Sequence, residues 1–218
     1  MFLNEELAEF CGALFGDGCL SKYYSKSENL TRYEIAFTGS FDEFHYHKNF
    51  LQPIVLKNFC QKGRVFLRGN SSRFHIRSKS IFNFFSILGF PVGKKGRNYE
   101  MPFLIRKDQK LSLAFVRGLW DTDGSIYRRY SKVFPAQTKF YPQYLVIQLK
   151  LNSKKMLEQV KETLFFAGVK SNLVKQSGSA FVLRITKQSE IKKYLQLIGF
   201  SNNHHNDRLL RLAPSLKV

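Results

Sequence analysis

Two stretches of nine residues decide the fold of this chain: Phe10-Cys-Gly-Ala-Leu-Phe-Gly-Asp-Gly18 and Val116-Arg-Gly-Leu-Trp-Asp-Thr-Asp-Gly124. Both end in Asp-Gly, and both carry a glycine at the third position. They lie about half a chain apart in a sequence of 218 residues. A repeat with this spacing predicts that the chain consists of two similar halves.

A helical pattern leads into each stretch. Apolar residues recur at helical spacing along one face, at positions 7, 10, 11, 14 and 15 and at positions 111, 115, 118 and 119. Gly12, Gly16 and Gly118 lie within these helices, where each glycine costs about 1 kcal/mol of helix propensity. The usual compensation is a close approach of two backbones. We therefore expect the two helices to pack together and to bring Asp17 and Asp123 side by side.

The segments that follow the two helices also match. Alternating residues predict strands at 19–27 and 32–38 in the first half, and at 125–133 and 143–151 in the second half, where a longer loop holds Pro135 and Pro142. A helix comes next in each half. One runs from Ser153 to Gly168, and the other covers about 42–59, where Pro53 should kink or split it.

A second hairpin and a third helix complete each half. The hairpins are expected at 64–68 with 73–77 and at 172–176 with 181–186, around Gly69-Asn70 and Gly178. The closing helices end in Gly89-Phe90 and Gly199-Phe200. The fold class is therefore α+β, with two pseudo-symmetric αββαββα halves at 1–95 and 109–218 and a linker at 96–108.

The composition points to a polyanionic partner. Lys and Arg number 35 against 16 Asp and Glu, a formal net charge of +19. Nucleic acid is the favoured partner, and a membrane surface is the alternative. Apolar runs are too short to span a bilayer, and the acidic start lacks the basic region of a signal peptide, so we expect an intracellular protein. Three cysteines and five histidines lack the spacing of a zinc or redox site.

The two aspartates suggest metal chemistry. Paired carboxylates repel each other unless a cation lies between them. On a basic surface, such a pair provides the oxygen ligands that Mg²⁺ requires for phosphodiester hydrolysis. A single Asp-Gly at a helix end is more often a structural turn, but repetition with matching glycines and hairpins favours function.

The two nonapeptides resemble the LAGLIDADG motif, and the repeated unit resembles the single-chain, two-motif homing endonucleases over about residues 4–212. This resemblance implies a sequence-specific DNA endonuclease that uses Mg²⁺ or Mn²⁺, acts as a monomer on a long asymmetric site and is encoded in an intron. It implies that the antiparallel sheets form a saddle over DNA. Asp17 and Asp123 would be metal ligands, with Gly16 and Thr122 as further ligand candidates. At the sixth motif position Phe15 replaces an acidic residue that the second motif keeps as Asp121, which we interpret as a helix-end or supporting contact.

The resemblance also implies a basic residue near each scissile phosphate. Lys95 in Gly93-Lys94-Lys95 has this position in the first half, and His205 has the same spacing from its preceding Gly-Phe pair. A neutral histidine supplies less charge, so the two half-sites need not be equivalent. The alternative for Lys95 is an ordinary solvated linker lysine.

Basic and polar residues of the strands are the candidates for DNA contact, because alternate residues of a half-buried sheet face outward. The candidates are Lys22, Lys26, Arg32, Arg64, Arg68, Arg73, Arg77, Arg128, Arg129, Lys132, Lys139, Gln148, Lys150, Lys175 and Arg184. Arginine can pair with guanine and glutamine with adenine, whereas lysine mostly meets phosphate.

Three alternatives share the same scaffold. An intron RNA splicing maturase would use the basic surface without needing the aspartates for its activity. A non-catalytic DNA-binding protein would bind without cutting. An intein is disfavoured, because the sequence leaves no room for a splicing domain and His205-Asn206 lies inside the chain.

Overall fold

The computed structural model describes residues 3–133, 137–176 and 178–213, and within the strands it leaves the side chains of 132, 133, 137, 138, 140, 142 and 143 undescribed. The first half begins with α1 (Glu5–Asp17), β1 (Gly18–Ser25) and β2 (Leu30–Ser40). A segmented helix follows: a 3₁₀ turn (Phe41–Glu43), α2 (Phe44–Tyr46), a π-helical turn (His47–Leu51) and α3 (Gln52–Phe59). The half ends with β3 (Arg64–Arg68), β4 (Ser71–Arg77) and α4 (Lys79–Ile87).

The second half repeats this order after a short helix in the linker, α5 (Phe103–Arg106). It contains α6 (Gln109–Asp123), β5 (Gly124–Val133), β6 (Gln137–Leu151), α7 (Lys154–Phe166), β7 (Asn172–Lys175), β8 (Phe181–Ile185) and α8 (Gln188–Leu197). A further helix, α9 (Asn203–Leu212), follows. The predicted architecture of two αββαββα halves is confirmed.

Each half has one antiparallel sheet of four strands. Their orders are β1-β2-β4-β3 and β5-β6-β8-β7. The register is also equivalent, because Gly18 pairs with Phe37 in the first sheet and Gly124 pairs with Leu149 in the second. The strand that follows each motif helix is therefore an edge strand that begins directly beside Asp17 or Asp123.

The motif helices form the centre of the molecule. Every residue of α1 from Leu7 to Phe15 is buried, as are Phe115, Leu119 and Trp120 of α6. Asn4 and Asp108 cap the two helices by accepting hydrogen bonds from the amides of Leu7 and Leu111. The apolar residues of both halves join in one hydrophobic core around this pair.

Proline explains two differences from the sequence expectation. The helix predicted at 42–59 is split upstream of Pro53, where the amide of Gln52 bonds to the carbonyl of His47, five residues back. Because Pro53 has no N–H for its own i−4 bond, a wider turn before it is accommodated. Strand β6 begins at Gln137, earlier than expected, and passes through Pro142 where the register with β5 shifts between Arg128 and Arg129. A bulge tolerates the missing donor; Pro135 lies outside the described residues.

Among the helices that the structure describes, none has the length and apolar character needed to cross a membrane.

Candidate active site

The glycines of the motif helices permit backbone contact, as predicted. A Cβ atom added to Gly12 would lie 2.0 Å from the carbonyl oxygen of Phe115, and one added to Gly118 would lie 1.9 Å from that of Glu9. A Cβ on Gly16 would meet the hydroxyl of Thr122 at 1.9 Å and a carboxylate oxygen of Asp123 at 3.4 Å. The ends of α1 and α6 therefore converge, and the carboxylate of Asp123 lies beside the end of the other helix.

Burial raises the pKa of both aspartates. Burial raises the pKa of Asp17, which the nearby Lys95 cation partly offsets. The pKa of Asp123 is raised to about 7, first by burial and then by the charge of Asp17, again against Lys95. The positive charge of Lys95 therefore does not fully compensate for the burial of the two carboxylates. A divalent cation would supply it.

The donors at this position fit a hard metal ion, although they are few. Asp17 and Asp123 offer carboxylate oxygens, but Thr122 directs its hydroxyl to the carbonyls of Gly118 and Leu119 at 3.2 and 3.1 Å. Gly16 and Thr122 could therefore add only main-chain carbonyls. The described residues contain no cluster of three or more His, Cys, Asp or Glu suited to a metal. Water or phosphate oxygens would have to complete the coordination, as is usual for Mg²⁺.

Lys95 is held at the end of the first motif helix. Its ammonium donates to the carbonyl of Phe15 at 2.7 Å and to that of Gly16. The chain before it runs beside β1, where the amide of Gly93 bonds to the carbonyl of Leu20 at 2.7 Å. Burial lowers the pKa of Lys95, against the raising effects of Asp123 and Asp17. The alternative of a solvated linker lysine is wrong.

His205 occupies the matching position in the second half but differs chemically. Its Nε2 lies 3.2 Å from the carbonyl of Asp121, the counterpart of Phe15, and its ring is buried beside Phe200. Burial is the main reason that the pKa of His205 is lowered to about 4. The imidazole is therefore neutral at pH 7. His205 packs in the interior and, unlike Lys95, brings no positive charge to the site.

Asp121 is a structural residue. Its buried carboxylate accepts hydrogen bonds from the amides of Ser201 and Asn202, both at 3.1 Å. These bonds attach the segment before α9 to the end of α6 and so position His205. Phe15, the counterpart, instead packs against Phe90, with ring centroids 4.5 Å apart. The two motifs thus use different means to fix the segment after the third helix.

A cleft of about 290 Å³ opens beside Asp123. Its lining includes Phe15, Lys95, Tyr99, Asp123, Lys150 and Asn152. Tyr99 was not anticipated: burial and the charge of Asp123 raise the pKa of its phenol to about 12. Lys150 was expected on the sheet surface, and the structure places it at the cleft. No sequence pattern marks Tyr99, because it belongs to the linker.

Glu43 is a second unanticipated neighbour of the site. Burial and then the charge of Asp17 raise its pKa to about 7. Its carboxylate accepts a hydrogen bond of 2.7 Å from the amide of Ser40, in space that Gly39 leaves open. The Ser-x-x-Glu pattern at 40–43 is a capping signal that could have located this residue.

The outer faces of the two sheets, opposite the helices, carry much of the predicted basic set. Ile35 and Phe37 of β2 are buried, so their neighbours face outward. By the register, the outward residues of the first sheet include Arg32, Arg64, Arg68, Arg73 and Arg77. In the second sheet Gln148, Lys150 and Arg184 face outward, while Arg129 and Lys139 both lie 5.5 Å from the ring of Tyr141.

Three of the predicted contact residues lie on the helix side of the sheets. Lys22 pairs with Tyr33 and lies 5.6 Å from its ring, which packs on Phe82. Arg128 donates to the carbonyl of Leu212 at 3.1 and 3.3 Å. Lys175 pairs with Phe181 and therefore shares the face of the core. The expectation that these side chains face outward was wrong, because each shares the strand face of a residue in or against the core, here Leu20, Ile126 and Leu173. Their contact with DNA stays a prediction.

Two other predicted residues have different settings. Lys26 lies in the turn between β1 and β2. The side chain of Lys132 lies outside the described residues.

Polar contacts organise the outer faces before any ligand binds. Gln148 accepts from the hydroxyl of Tyr127 at 3.0 Å and from Arg184 at 2.9 Å. In the first sheet the carboxylate of Glu34 accepts from Arg77 at 3.0 Å. These pairs hold long side chains in defined orientations, which favours selective readout of a groove.

Comparison with known proteins agrees with this geometry. Residues 110–199 match the family model of the LAGLIDADG-like domain. The structure of I-DmoI in complex with DNA and Mn superposes with a TM-score of 0.64 at 20% identity, covering 90% of this chain and 97% of that chain. A lysine-to-alanine mutant of I-SmaMI gives a TM-score of 0.63 at 12% identity, covering 94% and 88%. The predicted resemblance to LAGLIDADG homing endonucleases is confirmed, and the fold is theirs.

A curated relative places a similar segment in a different context. The replication factor C small subunit of Methanocaldococcus jannaschii is 26% identical over 99% of this chain. The chain spans only 11% of the length of that relative. The likeness therefore concerns a small part of a much longer protein.

Proposed function

We propose that this chain, which has the fold of the LAGLIDADG homing endonucleases, is a site-specific, metal-dependent DNA endonuclease. The observation that carries the proposal is the convergence of Asp17 and Asp123 at the ends of two helices in backbone contact. Lys95 is fixed at the same place, and sheet faces rich in arginine flank it. We further propose that the protein acts inside the cell on double-stranded DNA. Its encoding by an intron and its action as a monomer remain predictions.

The residues divide the work of hydrolysis. Asp17 and Asp123 would hold the divalent ions, which when bound activate water and neutralise charge on the leaving oxygen. Lys95 favours the ionised form of both carboxylates and brings positive charge to the cleft. Lys150 and Tyr99 line the same cleft, where a lysine can meet a phosphate and a phenol can donate a hydrogen bond. The solved complexes of I-DmoI with Mn and with Ca make Mg²⁺ or Mn²⁺ the first ions to test.

The two sheets would read the DNA on either side of the cut. Arg64, Arg68 and Arg73 present guanidinium groups on the outer face of the first sheet, whereas Gln148 and Arg184 form a hydrogen-bonded pair on the second. Because the two faces carry different side chains, the expected target is long and asymmetric. Base readout would come from these arginines and glutamine, and lysines would meet phosphates.

Cleavage of a plasmid library tests the function. The protein is incubated with random-insert plasmids in Mg²⁺, in Mn²⁺ or in EDTA, and the ends are sequenced. Double-strand cuts at one long site, abolished by EDTA, are expected. Binding to duplex DNA without cutting would indicate a non-catalytic regulator, and preferential binding to structured RNA would indicate a maturase.

Replacing the aspartates identifies the catalytic pair. Asp17→Asn or Asp123→Asn should lower the cleavage rate by more than about 100-fold, since even partners of metal ligands cost 10–100-fold. DNA binding and thermal stability should persist, because asparagine keeps the shape of the side chain. Asp108→Asn is the matched control, since asparagine also caps helices. Cleavage at the normal rate by both single variants would refute the proposed site.

A further inference from the structure

Two clefts of opposite charge occupy equivalent places in the two halves. The basic cleft, of about 980 Å³, is lined by the cations Arg97, Lys154, Lys155 and Lys175 against one carboxylate, Glu158. The acidic cleft, of about 490 Å³, is lined by Phe41, Asp42, His45, His204, Asp207 and Arg211. The basic cleft lies where the beginning of α7 meets the segment after α4. The acidic cleft lies at the equivalent place, where the 3₁₀ turn and α2 meet α9.

The equivalence follows from the repeat. Lys95 and His205 have the same spacing from Gly89 and Gly199 and bond to matching carbonyls at the ends of α1 and α6. Two residues further on are Arg97 and Asp207, which line the basic and acidic clefts. Across each cleft, the first turn of the helix that follows the hairpin carries opposite charge, from Lys154 and Lys155 in one half and from Asp42 in the other. The equivalent positions on both walls are therefore basic in one cleft and acidic in the other.

The charges of the basic cleft are available to a ligand. Lys154 pairs with Glu158 at 2.7 Å and Lys155 with Glu100 at 2.8 Å, but both lysine side chains are more than half exposed. In the described part of the chain, Arg97 and Lys175 have no carboxylate partner. Lysines in the first turn of a helix are unfavourable with respect to the helix dipole. Lys154 is partly compensated by Glu158 within α7, whereas Lys155 bonds to Glu100 of the linker, so the charge of this turn favours a role in binding.

The basic cleft continues from the candidate active site along one edge of the second sheet. Asn152 lines both clefts. The strand order β5-β6-β8-β7 leads from Gly124, next to Asp123, to Lys175 on the outermost strand. Three strand spacings cover about 15 Å. At one phosphate per 3.4 Å of helix axis, that length spans about four phosphates of one DNA strand.

We propose, on the basis of the proposed DNA endonuclease function, that the basic cleft binds the sugar–phosphate backbone that flanks the cut on the side of the second half. The acidic cleft repels the backbone at the equivalent place on the other side. The protein therefore protects DNA farther from the cut on the side of the second half. The linker residue Arg97 is part of the DNA interface.

Salt-dependent binding tests this cleft. The variant Arg97→Gln, Lys154→Gln, Lys175→Gln is compared with Lys110→Gln, Lys161→Gln, Lys192→Gln, which removes the same charge from exposed helix positions. The probe is a random-sequence duplex of about 40 base pairs, chosen to exceed the expected site, in KCl from low to moderate concentration. Loss of three phosphate contacts should make the slope of log K against log salt shallower by about two to three and weaken binding about tenfold. The control variant should change the slope by less than about one.

The outcomes separate this proposal from the endonuclease itself. Equal slopes for the two triple variants would overturn the basic cleft while leaving DNA binding intact. Absence of salt-dependent binding by the unaltered protein would overturn both proposals. The reverse variant, Asp42→Lys with Asp207→Arg, should tighten binding to the random-sequence duplex. On a duplex that contains the site cut in the plasmid library, it should lengthen the hydroxyl-radical footprint on the side of the first half. An unchanged, symmetric footprint would count against the assignment.

Discussion

Lys95 and His205 show how one substitution makes two equivalent positions unequal. Both side chains bond to main-chain carbonyls at the end of a motif helix. Lys95 carries its charge to the aspartates, whereas burial lowers the pKa of His205 to about 4 and leaves it uncharged at pH 7. Positive charge on the side of the second half comes instead from Lys150. The site therefore has a fixed cation in one half and a more exposed lysine in the other.

A buried histidine makes stability depend on pH. Burial lowers the pKa of His47 to about 4 from its ordinary 6.5, and its Nδ1 lies 2.7 Å from the hydroxyl of Ser72. As the pH falls below 6.5, His47 becomes protonated in the unfolded chain but stays neutral in the folded chain until about pH 4. The free energy of unfolding therefore decreases. The loss from this residue should reach about 2 kcal/mol at pH 5. Urea unfolding of the unaltered protein and of His47→Gln at pH 7.5 and 5.0 measures it.

His47→Gln should be less stable at pH 7.5, because a packed ring is lost, yet it should lose less stability on acidification. His205, Asp123 and Glu43 contribute equally to both proteins, so the difference isolates His47. An identical pH dependence in the two proteins would show that His47 is not the titrating group.

The contact between α1 and α6 is the decisive element of the fold. Gly12 and Gly118 face carbonyl oxygens of the opposite helix, so the contact is between backbones, which cannot repack as side chains can. Helix propensity is given up at these positions so that the two helices can approach. The approach in turn determines the distance between the two halves and the convergence of their carboxylates.

Adding one methyl group tests this contact. Gly118→Ala would place a Cβ 1.9 Å from the carbonyl oxygen of Glu9, and we expect a loss of about 3 kcal/mol or more in the free energy of unfolding. Gly96→Ala is the control, since a Cβ there meets nothing within 4 Å, and its effect should stay within about 0.5 kcal/mol. Denaturant midpoints and slopes provide the measurement. A Gly118→Ala protein as stable as the control would contradict the close helix contact.

The whole molecule consists of two pseudo-equivalent halves around one shared core. A single core includes residues of both sheets and all three pairs of equivalent helices. A polar contact also crosses between the halves, where Ser201 bonds to Glu9. The linker is attached to the second half, where the carbonyl of Tyr99 accepts from Ser153 and Gln159 accepts from the amide of Met101 at 2.8 Å. Neither half buries its motif helix alone. Unfolding one half would expose the glycine-bearing face of the other.

We therefore expect both halves to unfold in one transition. Trp120, the single tryptophan, is fully buried in the second half, and Cys11 is fully buried in the first. In a Cys19→Ser, Cys60→Ser background, tryptophan fluorescence and thiol labelling of Cys11 should give the same urea midpoint. Separate midpoints would show that the halves fold independently.

The sequence by itself determined the repeat, the order of the elements and the positions of Asp17 and Asp123. These features follow from apolar periodicity, glycine and capping residues, which act over a few neighbouring positions. Even the interruption near Pro53 could be predicted from a single residue, because proline lacks an amide hydrogen.

Only the tertiary structure decided which surface each basic residue occupies. Lys22 and Arg128 lie on the helix side because Leu20 and Ile126 fix the alternation of their strands, and that choice depends on what covers the sheet. The burial of His205 and the nearness of Tyr99 to Asp123 likewise depend on segments distant in sequence. So does the opposite charge of the two clefts, since one joins the linker to the second half and the other joins the first half to α9. Charge and burial at a site are sums over such neighbours, and the fold alone determines which neighbours those are.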